Sequence, residues 1–193
     1  MSNGFRPLIS PPPGIEVAAP DFLQRLPANP KKLWQGFYTG EGFTKDGESL
    51  GVAFCLNGVT NAGIESNENV YFGASTQITT WYLGLINASG FTALSAADTS
   101  ASHAGWTELT SYDEATRQSW TPGAASGRTI TNPISATFTI SATVSIQGAF
   151  LISVSTKGGA TGVIWATGSF SSAYSLVDDQ TFKLTYTLTG TSS

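Results

Sequence analysis

The clearest hydrophobic pattern in the chain covers residues 134–146, where apolar residues alternate strictly with serine or threonine. A period of two places the apolar side chains on one face of an extended strand and the hydroxyls on the other, which a helix of 3.6 residues per turn cannot do. A strand of this length would span roughly 43 Å, more than twice the usual length. We therefore predict a strand that is buried on one side and that bends or serves two sheets.

Other segments carry similar strand signals. Residues 78–86 are β-branched and aromatic, as in a mostly buried central strand, and the apolar run 50–56 leads into Asn57-Gly58, a pair typical of tight hairpin turns. The remaining predicted strands are separated by glycine-rich turns and cover residues 148–154, 162–166, 169–176 and 182–188. The pattern predicts an all-β fold, an antiparallel β-sandwich of jelly-roll type, in residues 34–193.

Residues 1–33 differ from the rest because they are rich in proline. Proline removes amide donors and favours extended neighbours, so regular helix or sheet is not expected there. Large apolar residues are nevertheless scattered through the segment, which a disordered linker usually lacks. We predict an extended arm that lies on another protein surface, with a flexible tail as the alternative. The candidate anchors of the arm are Phe5, Ile9, Phe22 and Leu23.

Composition excludes several classes of function. Charged residues make up 11% of the chain, the net charge is −4 and the pI is about 4.8, so the basic patch of a nucleic-acid-binding protein is missing. A single cysteine, Cys55, cannot form an internal disulfide, and its apolar neighbours predict a buried thiol. No apolar run reaches the roughly 20 residues of a membrane span, so no membrane partner is expected.

Residues 98–120 hold the densest group of polar and aromatic side chains, and we predict a long loop ordered by hydrogen bonds, preceded by a possible helical turn at 94–101. One histidine and the lack of a Gly-x-Ser-x-Gly sequence argue against an enzyme. One histidine and one cysteine also argue against a metal site, and no cofactor is predicted. The loop residues retained as structural or as possible ligand contacts are His103, Trp106, Glu108, Arg117 and Trp120.

The five tryptophans leave a carbohydrate-binding alternative open, because indoles on a β scaffold can stack against sugar rings. Trp81 and Trp165 lie in apolar strand patterns, which favours a place in the core. Trp106 and Trp120 lie in the loop and leave the question open. Trp34 begins the first aromatic-rich segment.

Four short motifs resemble a family of small tailed-bacteriophage virion proteins. They are Trp-Tyr-Leu-Gly-Leu in a strand at 81–85, Ser-His-Ala-Gly-Trp-Thr-Glu in a loop at 102–108, Gly-Ala-Phe at 148–150, and Ser-Thr-Lys-Gly-Gly at 155–159. A Val-Thr-Asn-Ala-Gly step at 59–63 also fits. The similarity covers roughly residues 59–188 and implies a component of the virion, while the arm lies outside it.

The resemblance and the composition together predict a structural protein of the virion. The leading hypothesis is a capsid cement or decoration protein, a homotrimer that binds the major capsid protein or other virion proteins at the capsid surface. The alternatives are a tail or head-fibre component and a glycan- or receptor-binding adhesin module. We also expect the uncharged hydroxyl face of residues 134–146, including Thr139 and Thr143, to pack against a sister subunit.

Overall fold

The computed structural model describes residues 34–191, which form a predominantly β structure with one helix. Its strands join one sheet in the order β4-β3-β8-β9-β2-β1-β10-β6, with β5 beside β3 and β7 beside β10. The elements are β1 (Trp34–Phe43), β2 (Ser49–Val59), α1 (Asn61–Tyr71), β3 (Trp81–Asn87), β4 (Glu108–Leu109), β5 (Gln118–Trp120), β6 (Thr129–Thr131), β7 (Ala136–Thr139), β8 (Val144–Ile152), β9 (Ile164–Leu176) and β10 (Thr181–Gly190). These strands pair antiparallel throughout, so the all-β antiparallel prediction is confirmed. The arm and its anchors Phe5, Ile9, Phe22 and Leu23 lie outside the described residues.

The sheet has two halves that meet at β2. We call β1, β2, β6, β7 and β10 the front half, and β3, β4, β5, β8 and β9 the back half. They join where Asn57–Val59 pairs with Ala166–Gly168. One core takes buried side chains from both halves: the Phe170 and Phe182 rings lie 6.2 Å apart, and the Tyr38 hydroxyl donates to the Ala166 carbonyl at 2.9 Å.

The alternating segment 134–146 contributes to both halves. Its first part is β7, which pairs with β10, and its second part is β8, which pairs with β3 and β9. The segment was predicted to bend or to serve two sheets. In the structure it serves the two halves of a single sheet, through β7 in the front half and β8 in the back half. Ile134 departs from the pattern, because it precedes β7 and is 84% exposed.

The predicted hairpin turn at Asn57-Gly58 is wrong. These residues lie inside β2 and pair with β9, while the turn between β1 and β2 is at Thr44–Glu48, where Gly47 adopts a φ of +87°. The helical turn considered at 94–101 is a single turn in which the Asp98 backbone N–H donates to the Ser95 carbonyl at 3.1 Å. Local turn signals were overridden by pairing with a distant strand.

Helix α1 follows β2 directly and was not predicted. Thr60 caps it: its hydroxyl accepts the Gly63 N–H at 3.0 Å and donates to the Ile164 carbonyl of β9. The helix has 11 residues and buries only Gly63, so its hydrophobic periodicity is too weak to read from the sequence. No helix within residues 34–191 is long and apolar enough to cross a membrane.

Candidate functional site

Trp106 is the buried centre of the motif loop, which we define as residues 98–120. Its side chain is 3% exposed and packs against Phe150, with ring centres 5.1 Å apart, on the face of the back half that is turned away from the main core. The indole Nε1 donates to Asp98 Oδ2 at 2.9 Å. The same carboxylate oxygen accepts the Ser95 N–H at 2.9 Å, so Trp106 fastens the loop to the sheet.

His103 lies on the outer side of that indole. The two rings are stacked with centres 4.1 Å apart, and His103 Nδ1 is 2.9 Å from the Trp106 carbonyl oxygen. A catalytic histidine is normally oriented by a carboxylate, whereas the hydrogen-bond partner of His103 within the described residues is this backbone carbonyl. The observed contacts give His103 a role in holding the loop turn together.

Arg117 and Glu108 form a buried ion pair beneath the motif loop. Arg117 Nε and Nη2 donate to the two Glu108 carboxylate oxygens at 2.9 and 2.7 Å, and the two side chains are 2% and 7% exposed. Arg117 also donates to the carbonyls of Val154 and Gly159, while Glu108 accepts the Gly158 N–H at 2.8 Å. A buried pair requires this degree of hydrogen bonding to offset its desolvation.

The space between these groups is too small for a substrate. The cavity beside His103, Trp106, Glu108 and Arg117 is about 10 Å³, at the lower limit for holding one water molecule. Four of the five predicted site residues therefore come together as a packed, mutually bonded cluster. Trp120 is elsewhere: it lies in the main core, where its Nε1 donates to the Tyr186 carbonyl at 3.2 Å.

Lys157 forms a second anchor for the motif loop, one that sequence reasoning missed. Its ammonium group donates to the carbonyls of Tyr112 and Glu114, both at 2.7 Å, and lies 4.1 Å from the centre of the Tyr112 ring. The Glu114 carboxylate in turn accepts the N–H and hydroxyl of Thr139. The Thr139 hydroxyl is therefore bonded to the chain's own loop, and its packing against a sister subunit stays a prediction.

Outside the motif loop, the described residues offer neither a reactive thiol nor a group of metal ligands. Burial raises the pKa of the Cys55 thiol to about 12, which keeps it protonated and unreactive at neutral pH; its predicted burial is confirmed, at 6% exposure. Among the described residues, no group of three or more histidine, cysteine or acidic side chains is placed to hold a metal ion.

Trp165 lies in the core, as the sequence analysis expected, and Trp81 packs against that core. The loop residues Trp106 and Trp120 are buried, whereas the strand residues Trp34 and Trp81 keep part of their surface exposed. Trp34 and Trp81 each meet Trp165 edge to face, with ring centres 6.1 and 6.3 Å apart. The indoles near solvent therefore gather at one end of the sheet and not on the motif loop.

A cavity of about 210 Å³ lies at that end, and we call it the tryptophan cavity. Its lining combines residues of α1 and of the segment after it with residues from both halves of the sheet. The lining consists of Ser66, Asn67, Val70, Tyr71, Gln77, Ile78, Trp81, Trp120, Ile130, Leu151, Trp165 and Leu188. No sequence pattern pointed to this cavity, because it depends on the position of helix α1, which was not predicted.

The front half also presents a broad outer face, formed by the residues that point away from the core. On β2 these are apolar, and on β10 and β6 they are mainly threonine. The outer face includes Val52, Phe54, Leu56, Phe37, Thr39, Glu41, Phe43, Lys183, Thr185, Thr187, Thr189, Thr129 and Thr131. Its two charges, Glu41 and Lys183, are register partners on adjacent strands; Glu41 accepts the Ser49 hydroxyl at 2.6 Å, and the Lys183 ammonium lies 4.4 Å from the centre of the Phe43 ring.

No protein-family model, curated protein or solved structure matches the chain. The fold and its surfaces define an antiparallel β protein with an internally bonded polar loop. Within residues 34–191, the outer face and the tryptophan cavity present mainly apolar and uncharged polar side chains. Function is inferred from these residues and their geometry.

Proposed function

We propose that this protein is a structural component of a tailed-bacteriophage virion, a capsid cement or decoration protein. The four motifs that resemble the phage family support the proposal. Three of them coincide with the parts that hold the motif loop: Trp106 and Glu108 in one, Phe150 in the second, and Lys157 with Gly158 in the third. A loop held by these internal contacts has a structural role and needs no ligand to keep its conformation.

The observation that carries the proposal is the outer face. Strands β1 and β10 each have ten residues, so a face four strands wide covers roughly 600 Å². A standard protein interface buries about 800 Å² on each partner. Threonine and apolar side chains can be buried at lower cost than charges, and the face carries one charge of each sign, Glu41 and Lys183. The face therefore suits contact with another protein.

The finer architecture belongs to the same proposal. We infer that the two halves form a β-sandwich of jelly-roll type and that three copies associate through their outer faces and neighbouring edges. The arm residues Phe5, Ile9, Phe22 and Leu23 would anchor the trimer on the major capsid protein. A protein that binds only the assembled lattice stabilises that lattice by mass action, which is the mechanism of a cement protein.

The outer face is tested by changing Val52 to lysine. Val52 is 47% exposed and is the register partner of Glu41, so the isolated subunit tolerates the new charge. Packed against a second subunit, the same lysine has to lose its water. We expect the dissociation constant of the trimer to rise at least about tenfold, measured by sedimentation equilibrium, and the occupancy of the capsid to fall.

Val177 provides the matched control, because it is also a valine, is 48% exposed and lies outside the outer face. Val177→Lys should leave both the trimer and its capsid occupancy unchanged. A Val52→Lys protein with the mass and occupancy of the wild type would contradict the use of this face.

Electron microscopy of purified virions tests the location separately. Regular density over the whole capsid, missing from particles that lack this protein, is the expected result for a cement protein. Density confined to a vertex or to the tail would contradict the cement role and favour the alternative, a tail or head-fibre component.

A further inference from the structure

The tryptophan cavity combines indole surfaces with free amides. Trp81, Trp120 and Trp165 line its sheet side, and Trp81 meets Trp165 edge to face at 69°, so these two rings are not stacked on each other. Trp81 itself is only half-buried. An aromatic face left open at the mouth of a cavity is a surface on which a ring can stack.

The helix side of the cavity supplies the polar groups. Ser66 and Asn67 are half-buried residues of α1, and Gln77 follows the helix. Within residues 34–191 their side chains form no hydrogen bonds, so one hydroxyl and two amides are available to a ligand. Ligand sites characteristically place a few polar groups on a mainly apolar lining.

The charge and size of the cavity restrict the class of ligand. None of the lining residues is acidic or basic, so a charged ligand would find no opposite charge. The volume of about 210 Å³ is below the roughly 300 Å³ at which drug-sized pockets begin, which suits a single six-membered ring. Tyr71 at the rim and the adjacent Phe72 are 73% and 90% exposed, which extends the aromatic surface outwards.

We propose that the tryptophan cavity binds one neutral sugar ring, with the next unit of a glycan running over Tyr71 and Phe72. A pyranose has an apolar C–H face for the indoles and hydroxyls around its edge for Asn67, Gln77 and Ser66. A purely apolar ligand would form no hydrogen bond with these groups. The inference is independent of the virion location and relocates the glycan-binding alternative from the motif loop to this cavity.

The test is ligand-observed saturation-transfer NMR on the full-length protein. The neutral probes are the methyl glycosides of glucose, galactose and N-acetylglucosamine, the charged probe is glucuronate, and the apolar probe is toluene. We expect transfer to the ring protons of at least one neutral probe, weaker transfer to glucuronate, and a change in tryptophan fluorescence with the same dissociation constant.

Two asparagines of α1 form a matched pair for this test. Asn67 lines the cavity, whereas Asn69 is exposed and is not part of the lining. Asn67→Ala should weaken binding about tenfold, and Asn69→Ala should leave it unchanged. Trp81→Phe, which keeps an aromatic ring, should also weaken binding and provides a second variant if Asn67→Ala alters α1.

Three results would overturn the proposal. They are the absence of transfer to every neutral saccharide, equal affinities of the Asn67 and Asn69 variants, and binding of toluene without any saccharide. The last result would identify a site for an apolar side chain of a partner protein. None of these results bears on the outer face, which the Val52 and Val177 variants test separately.

Discussion

Arg117 connects the motif loop to the 153–163 segment, which lies about 40 residues further along the chain. Its guanidinium binds Glu108 through two hydrogen bonds and also donates to carbonyls of Val154 and Gly159. Lysine could not reproduce this arrangement, because only arginine offers several donors in a planar fork. The guanidinium carbon Cζ of Arg117 also lies 5.4 Å from the centre of the Phe150 ring. Arg117 therefore fastens the motif loop and the 153–163 segment to the sheet.

Removing the charge of Arg117 should destabilise the fold strongly. Arg117→Leu leaves Glu108 buried without a counter-charge, and we expect the free energy of unfolding to fall by about 3–5 kcal/mol. Adding Glu108→Gln should recover part of this loss, because the uncompensated charge is then gone. Urea denaturation followed by circular dichroism measures both effects.

An exposed ion pair provides the control. Lys45 and Asp179 are 2.6 Å apart, but their side chains are 73% and 55% exposed. Exposed pairs contribute little to stability, so Lys45→Ala should leave unfolding nearly unchanged. Equal effects of the Arg117 and Lys45 variants would contradict the structural role given to the buried pair.

The sequence identified the loop residues that form hydrogen bonds, but it did not identify the groups they bond to. Polar density and poor periodicity were enough to predict a hydrogen-bonded loop containing Trp106, Glu108 and Arg117. The partners could not be predicted, because Val154, Gly158 and Gly159 come from a separate turn and act through backbone atoms. Backbone groups carry no residue-specific signal in a sequence.

At the scale of elements, strands β8 and β9 pack with almost no space between their backbones at Gly148. A β-carbon on Gly148 would lie 2.0 Å from the Gly168 carbonyl oxygen, at a point where the pairing of the two strands shifts register. Ile146 and Gly148 each pair with a residue of β9. Gln147 lies between them, and its side-chain amide donates to the Phe170 carbonyl at 3.0 Å. Glycine at 148 therefore permits the irregular pairing.

Gly148→Ala should separate β8 from β9 locally. Because the obstructing atom belongs to the backbone, it cannot move aside cheaply, and we expect a loss of at least about 1–3 kcal/mol in unfolding free energy. Gly58→Ala in β2 is the control, since its β-carbon would meet nothing within 4 Å. That variant should be neutral or slightly stabilising. Thermal unfolding compares the two, and the opposite ranking would show that the strands separate freely at Gly148.

Strands with a strong period of two were predictable from the sequence. Helix α1, whose hydrophobic periodicity is weak, was not predictable. The alternation in residues 134–146 gave the faces of β7 and the start of β8 because burial follows a period of two. The helix covers one end of the core with few apolar contacts, so its sequence resembles a polar loop. Because α1 forms one side of the tryptophan cavity, the cavity could not be predicted either.

At the scale of the whole molecule, three titratable groups from different strands share the core between the two halves. Tyr38, Cys55 and Tyr186 are buried, and burial is the main cause that raises each pKa above its ordinary value. The order of the strands, which brings β1, β2 and β10 together, could not be derived from the sequence, because register and neighbours depend on contacts distant in the chain. The consequence of this assembly is a core that resists ionisation.

Stability should therefore decline at alkaline pH in two stages. The pKa of Cys55 is about 12 in the folded protein and about 8.5 when unfolded, so its contribution is complete below pH 8.5 and is lost as pH rises towards 12. Between pH 7.5 and 9.5 this amounts to about 1 kcal/mol. The tyrosines, with an unfolded pKa of about 10, add a second decline above pH 10.

Cys55→Ala separates the two stages. Urea unfolding at a series of pH values, in the presence of reductant, should show the first decline in the wild type and not in the variant, while both share the decline above pH 10. Replacing the thiol lowers stability by a constant amount at every pH, so the pH dependence reports ionisation alone. The same first decline in both proteins would mean that Cys55 ionises as readily in the folded state as in the unfolded one, and the shared core would then be open to water.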